Sequence, residues 1–125
     1  MKPTCSVAIK AFLALIVFTV LSLPSLSAQT EKIIYNFTGG ADGGAPEAGL
    51  ASDGRGNLYG TTSNGGSPTC ECGTVFELSP GSNGAWTQQT LYSFVGFSSD
   101  GEQPNSELTF DGKGNLYGTT IAGGS

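Results

Sequence analysis

"GNLYGTT" occupies residues 56–62 and recurs, letter for letter, at residues 114–120. A single centre of chemistry needs such a segment once, whereas a unit built by repetition needs it in every copy. Working outward, residues 48–67 align with 106–125 at 13 identical positions out of 20. Asp42-Gly43 matches Asp100-Gly101, and Pro46 matches Pro104, at the same offset of 58. Tyr35 and Phe37 match Tyr92 and Phe94 one residue out of phase, so a one-residue slip falls between Phe37 and Asp42. That stretch is a glycine-rich loop, where an insertion costs little closure entropy. A period near 58 residues belongs to propellers and other arrays.

Beyond the N-terminal segment, glycine, proline and β-branched clusters interrupt every helical window. Short strand-like runs bounded by turn residues take their place, at 32–38, 48–53, 57–63, 73–79, 87–95, 106–111 and 115–121. "DGRGN" at 53–57 and "DGKGN" at 111–115 predict tight hairpin turns. Glycine there tolerates positive φ, and Asp and Asn bond their own backbone. "NLYGTT" is then the return strand, and Gly60 lets a neighbouring ring or backbone approach closely. One period holds four strands, "GLASD", "NLYGTT", "GTVFELS" and "TQQTLYSFV". A repeated four-stranded antiparallel sheet describes a propeller blade.

The faces agree with that reading. Thr74, Phe76 and Leu78 share one side of their strand, Tyr92 and Phe94 one side of theirs, and Leu91 and Val95 the other. Apolar groups on both faces suit a sheet sandwiched between neighbours. The fold class expected is all-β and propeller-like, with about one and a half blades. Residues 1–28 form a signal peptide, 29–47 an outer strand of a preceding blade with its loop, 48–95 one complete blade, and 96–125 a loop and half of a second. Stacked repeats need roughly three copies for stability. The expectation is therefore a fragment of a longer array, or assembly with further copies of the repeat in the same or another chain.

At the N-terminus, Lys2 and Lys10 flank the start of an apolar run over 11–23, Pro24 breaks it, and "SLSAQ" offers cleavage after Ser27 or Ala28. This is the order of a secretory signal peptide. The run of 13 residues is short of the about 20 that span a bilayer, which disfavours an uncleaved anchor. Cys5 precedes the apolar run and leaves with the peptide. The expected location is secreted, periplasmic or cell-surface, with no membrane attachment after cleavage. The exported part keeps three basic and ten acidic side chains, a net charge near −7 that repels nucleic acid. All 20 glycines lie in it, with no period of three, so collagen is excluded.

The order Tyr-x-Phe, Asp-Gly, Pro, Leu, Asp-x-x-Gly-Asn-Leu-Tyr-Gly-Thr-Thr, Gly-Gly, Gly-Thr-Val-Phe-Glu-Leu resembles the GloVer-type tandem repeat of secreted bacterial proteins, in the choice-of-anchor group. It covers 33–79 as one copy and 91–125 as a partial one. The resemblance implies an exported, propeller-like repeat protein, with arrays often followed by a surface-anchoring segment. It implies no established activity and supplies no catalytic residues. The copies read here are fewer than the resemblance implies.

The chain has no histidine, so Ser-His-Asp and Cys-His arrangements and His-based metal sites do not arise. Paired carboxylates could still hydrolyse glycosides. Asp53 and Asp111 qualify by type, yet they hold equivalent positions beside turn glycines, whereas a catalytic pair needs unlike environments. They read as turn formers. Asp42 and Asp100 sit in loops joining an outer strand to the next inner one, where propellers bind ligands. They are the candidate ligand contacts, with calcium as one possible ligand, although the Asp-x-Asp-x-Asp-Gly spacing is not there. Cys70 and Cys72 are the only cysteines after the leader. Export favours a disulfide. Residues two apart in a strand stand at the limit for bridging, and Pro68 and Gly73 suggest a bend that closes the gap; free or intermolecular thiols are the alternative. Asn36-Phe37-Thr38 fits a glycosylation acceptor but lies in an expected strand. Tyr59, Tyr117 and Trp86 could stack on sugars, and the tyrosines read instead as packing between blades. No cofactor and no catalytic residue is assigned.

These features predict a non-enzymatic, secreted repeat module with a structural or binding role and an extracellular glycan or protein as ligand. The alternatives are part of a carbohydrate-active or other hydrolytic propeller enzyme with its site in further blades, and a calcium-dependent binding domain. Glu102 and Glu107 break the repeat pattern, as an enzyme's acids would, but only weakly.

Overall fold

The computed structural model describes residues 30–96 and 100–124, and the cleavage positions Ser27 and Ala28 lie outside them. From Ile33 onward the chain forms one compact unit. Its described residues are all-β, with no helix. Residues 51–93 make an antiparallel four-stranded meander in the order β1 (Ala51–Ser52), β2 (Leu58–Thr62), β3 (Thr74–Pro80) and β4 (Trp86–Ser93). The second copy supplies β5 (Gly101–Pro104), β6 (Thr109–Phe110), β7 (Leu116–Tyr117) and β8 (Thr120–Gly123), with β5 pairing β8 and β6 pairing β7.

Alternation decides which side chains enter the core. Along β3, Thr74, Phe76 and Leu78 are buried while Val75, Glu77 and Ser79 are half-buried. A β-strand turns successive side chains to opposite faces, so a period of two places these three together. Phe76 is 1 % exposed and stands opposite Gly60 of β2. A Cβ on Gly60 would lie 2.7 Å from the Phe76 ring and from Leu50, so the glycine makes room for the ring. The buried threonines close their own polar groups: the Thr62 and Thr74 hydroxyls are 2.8 Å apart, and Thr62 also reaches the Asn64 carbonyl at 3.0 Å. Among the described residues no buried side-chain polar atom lacks a partner, which low-dielectric burial demands.

Three differences from the sequence reading have physical causes. The run 32–38 forms no ladder among the described residues; it lies against the sheet through Phe37, whose ring meets Phe76 edge-on at 4.8 Å. The run 115–121 is divided between β7 and β8, because residues 118 and 119 have no partner strand. Finally, a pairing not foreseen joins each loop to its own return strand. Gly44 bridges Asn64 in the first copy, and Glu102 pairs Ala122, 58 residues later, in the second. At the same repeat position, Ala45 and Gln103 both take left-handed φ values, 52° and 53°. The register between β3 and β4 also slips at Val75/Phe76, which leaves Leu91 bulged out and 41 % exposed.

Candidate functional site

Asp42 and Asp100 do the same work in the two copies. The Asp42 carboxylate accepts hydrogen bonds from Tyr35 Oη at 3.1 Å, from Thr38 N at 2.9 Å and from the Thr38 hydroxyl. Asp100 accepts from Tyr92 Oη at 2.9 Å, Val95 N at 3.1 Å and Gly101 N at 2.8 Å. Each aspartate thus clasps the loop to the Tyr-x-Phe segment before it. The rings of that segment meet edge-on at 5.0 Å in both copies, Tyr35 on Phe37 and Tyr92 on Phe94. Partial desolvation pushes the Asp42 and Asp100 carboxyls up, and the hydrogen bonds from Thr38 and from Val95 and the tyrosines outweigh it, so both titrate below the usual range. The hydrogen bond to Asp100, then desolvation, raises the Tyr92 phenol in turn. The sequence carried a signal for this clasp, since Tyr and Asp recur together. The one-residue slip lies between the two ends that the clasp ties, so it leaves the clasp intact. The two aspartates are not brought together.

Asp53 and Asp111 are likewise spent on their own turns. Asp53 Oδ1 accepts from Arg55 N at 2.7 Å and Asn57 N at 3.2 Å, and Oδ2 from Asn57 Nδ2 at 2.8 Å. Asp111 repeats the set with Lys113 N at 2.8 Å, Asn115 N at 2.8 Å and Asn115 Nδ2 at 2.7 Å. The Asn115 side chain, then its backbone N–H, hold the Asp111 carboxyl down at about 2. Asp53 is lowered in the same direction, first by the Arg55 N–H. Both line a shallow cleft of about 350 Å³ with Arg55, Tyr59 and Phe110. Both accept the same set of hydrogen bonds from their own turn, and both titrate below the usual carboxylate range.

Cys70 and Cys72 are joined by a disulfide, with Cα atoms 5.2 Å apart. The bend that brings them together is Glu71, at φ 50°. The bridge is covered by Gly96, where a Cβ would lie 2.6 Å from Cys72 Sγ. Gln103 N donates to Cys72 O at 2.8 Å, which ties this loop to the second copy. Trp86 is half-buried and pairs with Pro80, Asn36 is exposed outside any strand, and Tyr117 is exposed. Tyr59 meets Phe110 edge-on at 5.1 Å, a contact from one copy to the other. Among the described residues no group of three or more His, Cys, Asp or Glu is placed to hold a metal ion, and no helix is long and apolar enough to cross a membrane.

A cleft of about 700 Å³ lies between the outer face of the first sheet and the second copy. Val75 and Leu91 line one wall, and Leu108, Leu116 and Gly118 the other, with Phe94 between them. Its apolar lining and its place between copies are features of a repeat, and the chain matches a repeat family over residues 19–125. The chain belongs to the Gloeobacter/Verrucomicrobia repeat family. No curated protein and no solved structure matches it. Within the Gloeobacter/Verrucomicrobia repeat, the recurring Asp, Asn, Gly and Tyr are therefore parts of the module itself: turn, clasp and close approach, each present in both copies.

Proposed function

We propose that this protein is an exported structural and binding module, a propeller-like array element that serves by stacking its sheets on further copies of the repeat, and that it carries no catalytic centre. One observation carries the reading. The two copies already pack side by side, with Phe110 edge-on to Tyr59 at 5.1 Å and the Thr61 hydroxyl donating to Ser106 O at 3.4 Å. The outer faces support it as well. Leu50, Leu91, Tyr92 and Val95 are all more than 40 % exposed, apolar area that gains about 25 cal/mol per Å² when a neighbour covers it. Ligands of this module are extracellular glycans or proteins met by loop faces. The acidic surface speaks against nucleic acid, and the leader-like residues 1–28 speak for export.

Sedimentation of the purified protein tests the stacking. Concentration-dependent association that survives high salt is expected, since buried apolar area drives it. A monomer up to millimolar concentration would overturn the reading. Sequencing the N-terminus of the exported product should find a start after Ser27 or Ala28. A glycan array then separates a sugar-binding role from a purely structural one.

A further inference from the structure

The Cys70–Cys72 disulfide does little to hold its own loop in place. The bridge spans a sequence separation of 2, and the entropy that a cross-link removes from the unfolded chain is least for the shortest loops. The main chain around it is fixed by other means. Glu71 N donates to Ser67 O at 2.9 Å, Gly73 N to Gly65 O at 3.0 Å, Phe94 N to Gly73 O at 3.0 Å and Gln103 N to Cys72 O at 2.8 Å. The two sulfurs are unlike: Cys72 is 3 % exposed, beneath Gly96, and Cys70 is half-buried. Each also faces an oxygen at thiol hydrogen-bond distance. Cys72 Sγ lies 3.7 Å from Glu102 Oε2, and Cys70 Sγ 3.6 Å from Phe94 O. A disulfide sulfur has no proton to donate, so from these two sulfurs the oxygens can accept only when the bridge is open. Glu102 stands where the first copy has Gly44, so its carboxylate is not part of the recurring module.

We propose that Cys70 and Cys72 form a reversible thiol–disulfide couple that exchanges with external thiolates, Cys70 being the sulfur attacked and Cys72 the one released. An incoming thiolate, its proton given to solvent, bonds to Cys70 Sγ and breaks the bond to Cys72 Sγ. Cys72 leaves with the electron pair, takes a proton from solvent and donates a hydrogen bond to Glu102 Oε2. A second thiolate attacks the incoming sulfur of the mixed disulfide and frees Cys70, which is protonated in turn and donates to Phe94 O. Two external thiols are oxidised to one disulfide, and the protein's disulfide is reduced to two thiols. One bridge is consumed per chain, so the exchange is stoichiometric and adds no catalytic centre to the module. Glu102 is a positioning residue: by accepting from the Cys72 thiol it stabilises the open form. The anchored main chain keeps both sulfurs ready to close again when a small disulfide supplies the oxidant.

The couple goes beyond the stacking module, and thiol labelling tests it independently of sedimentation. The purified full chain is titrated with dithiothreitol under native conditions, then alkylated and peptide-mapped so that Cys5 is counted apart. Cys70 and Cys72 should both label at millimolar reductant, with a cooperative thermal transition retained and its midpoint lowered by no more than about 10 °C. Oxidised glutathione should then restore the bridge. Glu102→Ala should shift the exchange equilibrium toward the disulfide by about tenfold, from the lost hydrogen bond to a carboxylate, and Glu102→Gln by less. With oxidised glutathione, Cys72→Ser should form a mixed disulfide at Cys70 faster than Cys70→Ser does at Cys72. Reduced glutathione and reduced, unfolded ribonuclease, offered separately, tell a small thiol from a protein thiol as the partner, and exchange with either supports the couple. Exchange with neither, no labelling before the fold is lost, or collapse of the cooperative transition on reduction would each overturn it. So would an equilibrium unmoved by Glu102→Ala, or faster reaction at Cys72.

Discussion

Asp111 gives up its proton near pH 2, well below a free aspartate, because Asn115 and two backbone N–H groups bind the charged form. The sign follows from linkage. A folded pKa below the unfolded value of about 3.9 stabilises the fold above that pH, and the contribution is lost as pH falls through the folded value. Asp42, Asp53 and Asp100 shift in the same direction. The thermal midpoint should therefore be flat from pH 7 to 5 and fall between about 4 and 2, with a carbon-detected NMR titration placing Asp111 near 2. Asp111→Asn should flatten that acid limb, and an unchanged limb would count against the turn account. A second residue-scale outcome concerns Ala45 and Gln103, at φ 52° and 53°. A left-handed L-residue costs roughly 1–2 kcal/mol, and glycine removes that cost but adds unfolded-chain freedom worth about 0.4–1 kcal/mol. Gln103→Gly should thus stabilise by about 1 kcal/mol or less in chemical denaturation.

At the scale of the element, two glycines at the same repeat position, Gly60 and Gly118, meet different surroundings. Gly60→Ala places a Cβ 2.7 Å from the Phe76 ring, which is itself fixed by Phe37. The expected loss is about 1–3 kcal/mol, as for other overpacked cores. Gly118→Ala meets only the ends of the Leu108 and Ser106 side chains, at 2.7 and 3.2 Å, beside open space. Its loss should stay below about 1 kcal/mol. Urea unfolding of the two variants side by side checks the contrast; equal losses would mean that the second copy's edge is as tightly covered as the first. The strands Leu58–Thr62, Thr74–Pro80 and Trp86–Ser93 were legible in the sequence to within two residues, because alternation and Asp-Gly turns are local signals, whereas 32–38 forms no ladder and Gly101–Pro104 was not foreseen. The clasp between Tyr35 and Asp42 was not read, although both residues recur, since a hydroxyl-to-carboxylate contact across a loop has no period of its own.

For the whole molecule, the decisive quantity is uncovered apolar surface. Ile33, Leu91, Tyr92, Val95, Tyr117 and Ile121 are each more than 40 % exposed. Covering them is what further copies do in the proposed array. Calcium should do nothing comparable. The oxygens of Asp42 and Asp100 are occupied by hydrogen-bond donors of the protein itself, so millimolar calcium should leave the thermal midpoint unmoved. A rise of several degrees would restore the calcium-dependent domain that the sequence reading kept open.

The sequence alone determined that the chain is built from a repeated β unit, where its turns fall, and which faces of the third strand are apolar. Those properties are written in nearest-neighbour chemistry: glycine and aspartate for the turn, alternation for the strand. Only the tertiary structure decided the rest. It showed that Asp42 and Asp100 tie loops down, and that Glu71 bends to let Cys70 reach Cys72. It also showed that two identical heptapeptides meet different fates. The reason is physical: whether a strand's edge and its glycine are covered depends on what lies across the ladder, which for Gly60 is Phe76 of β3.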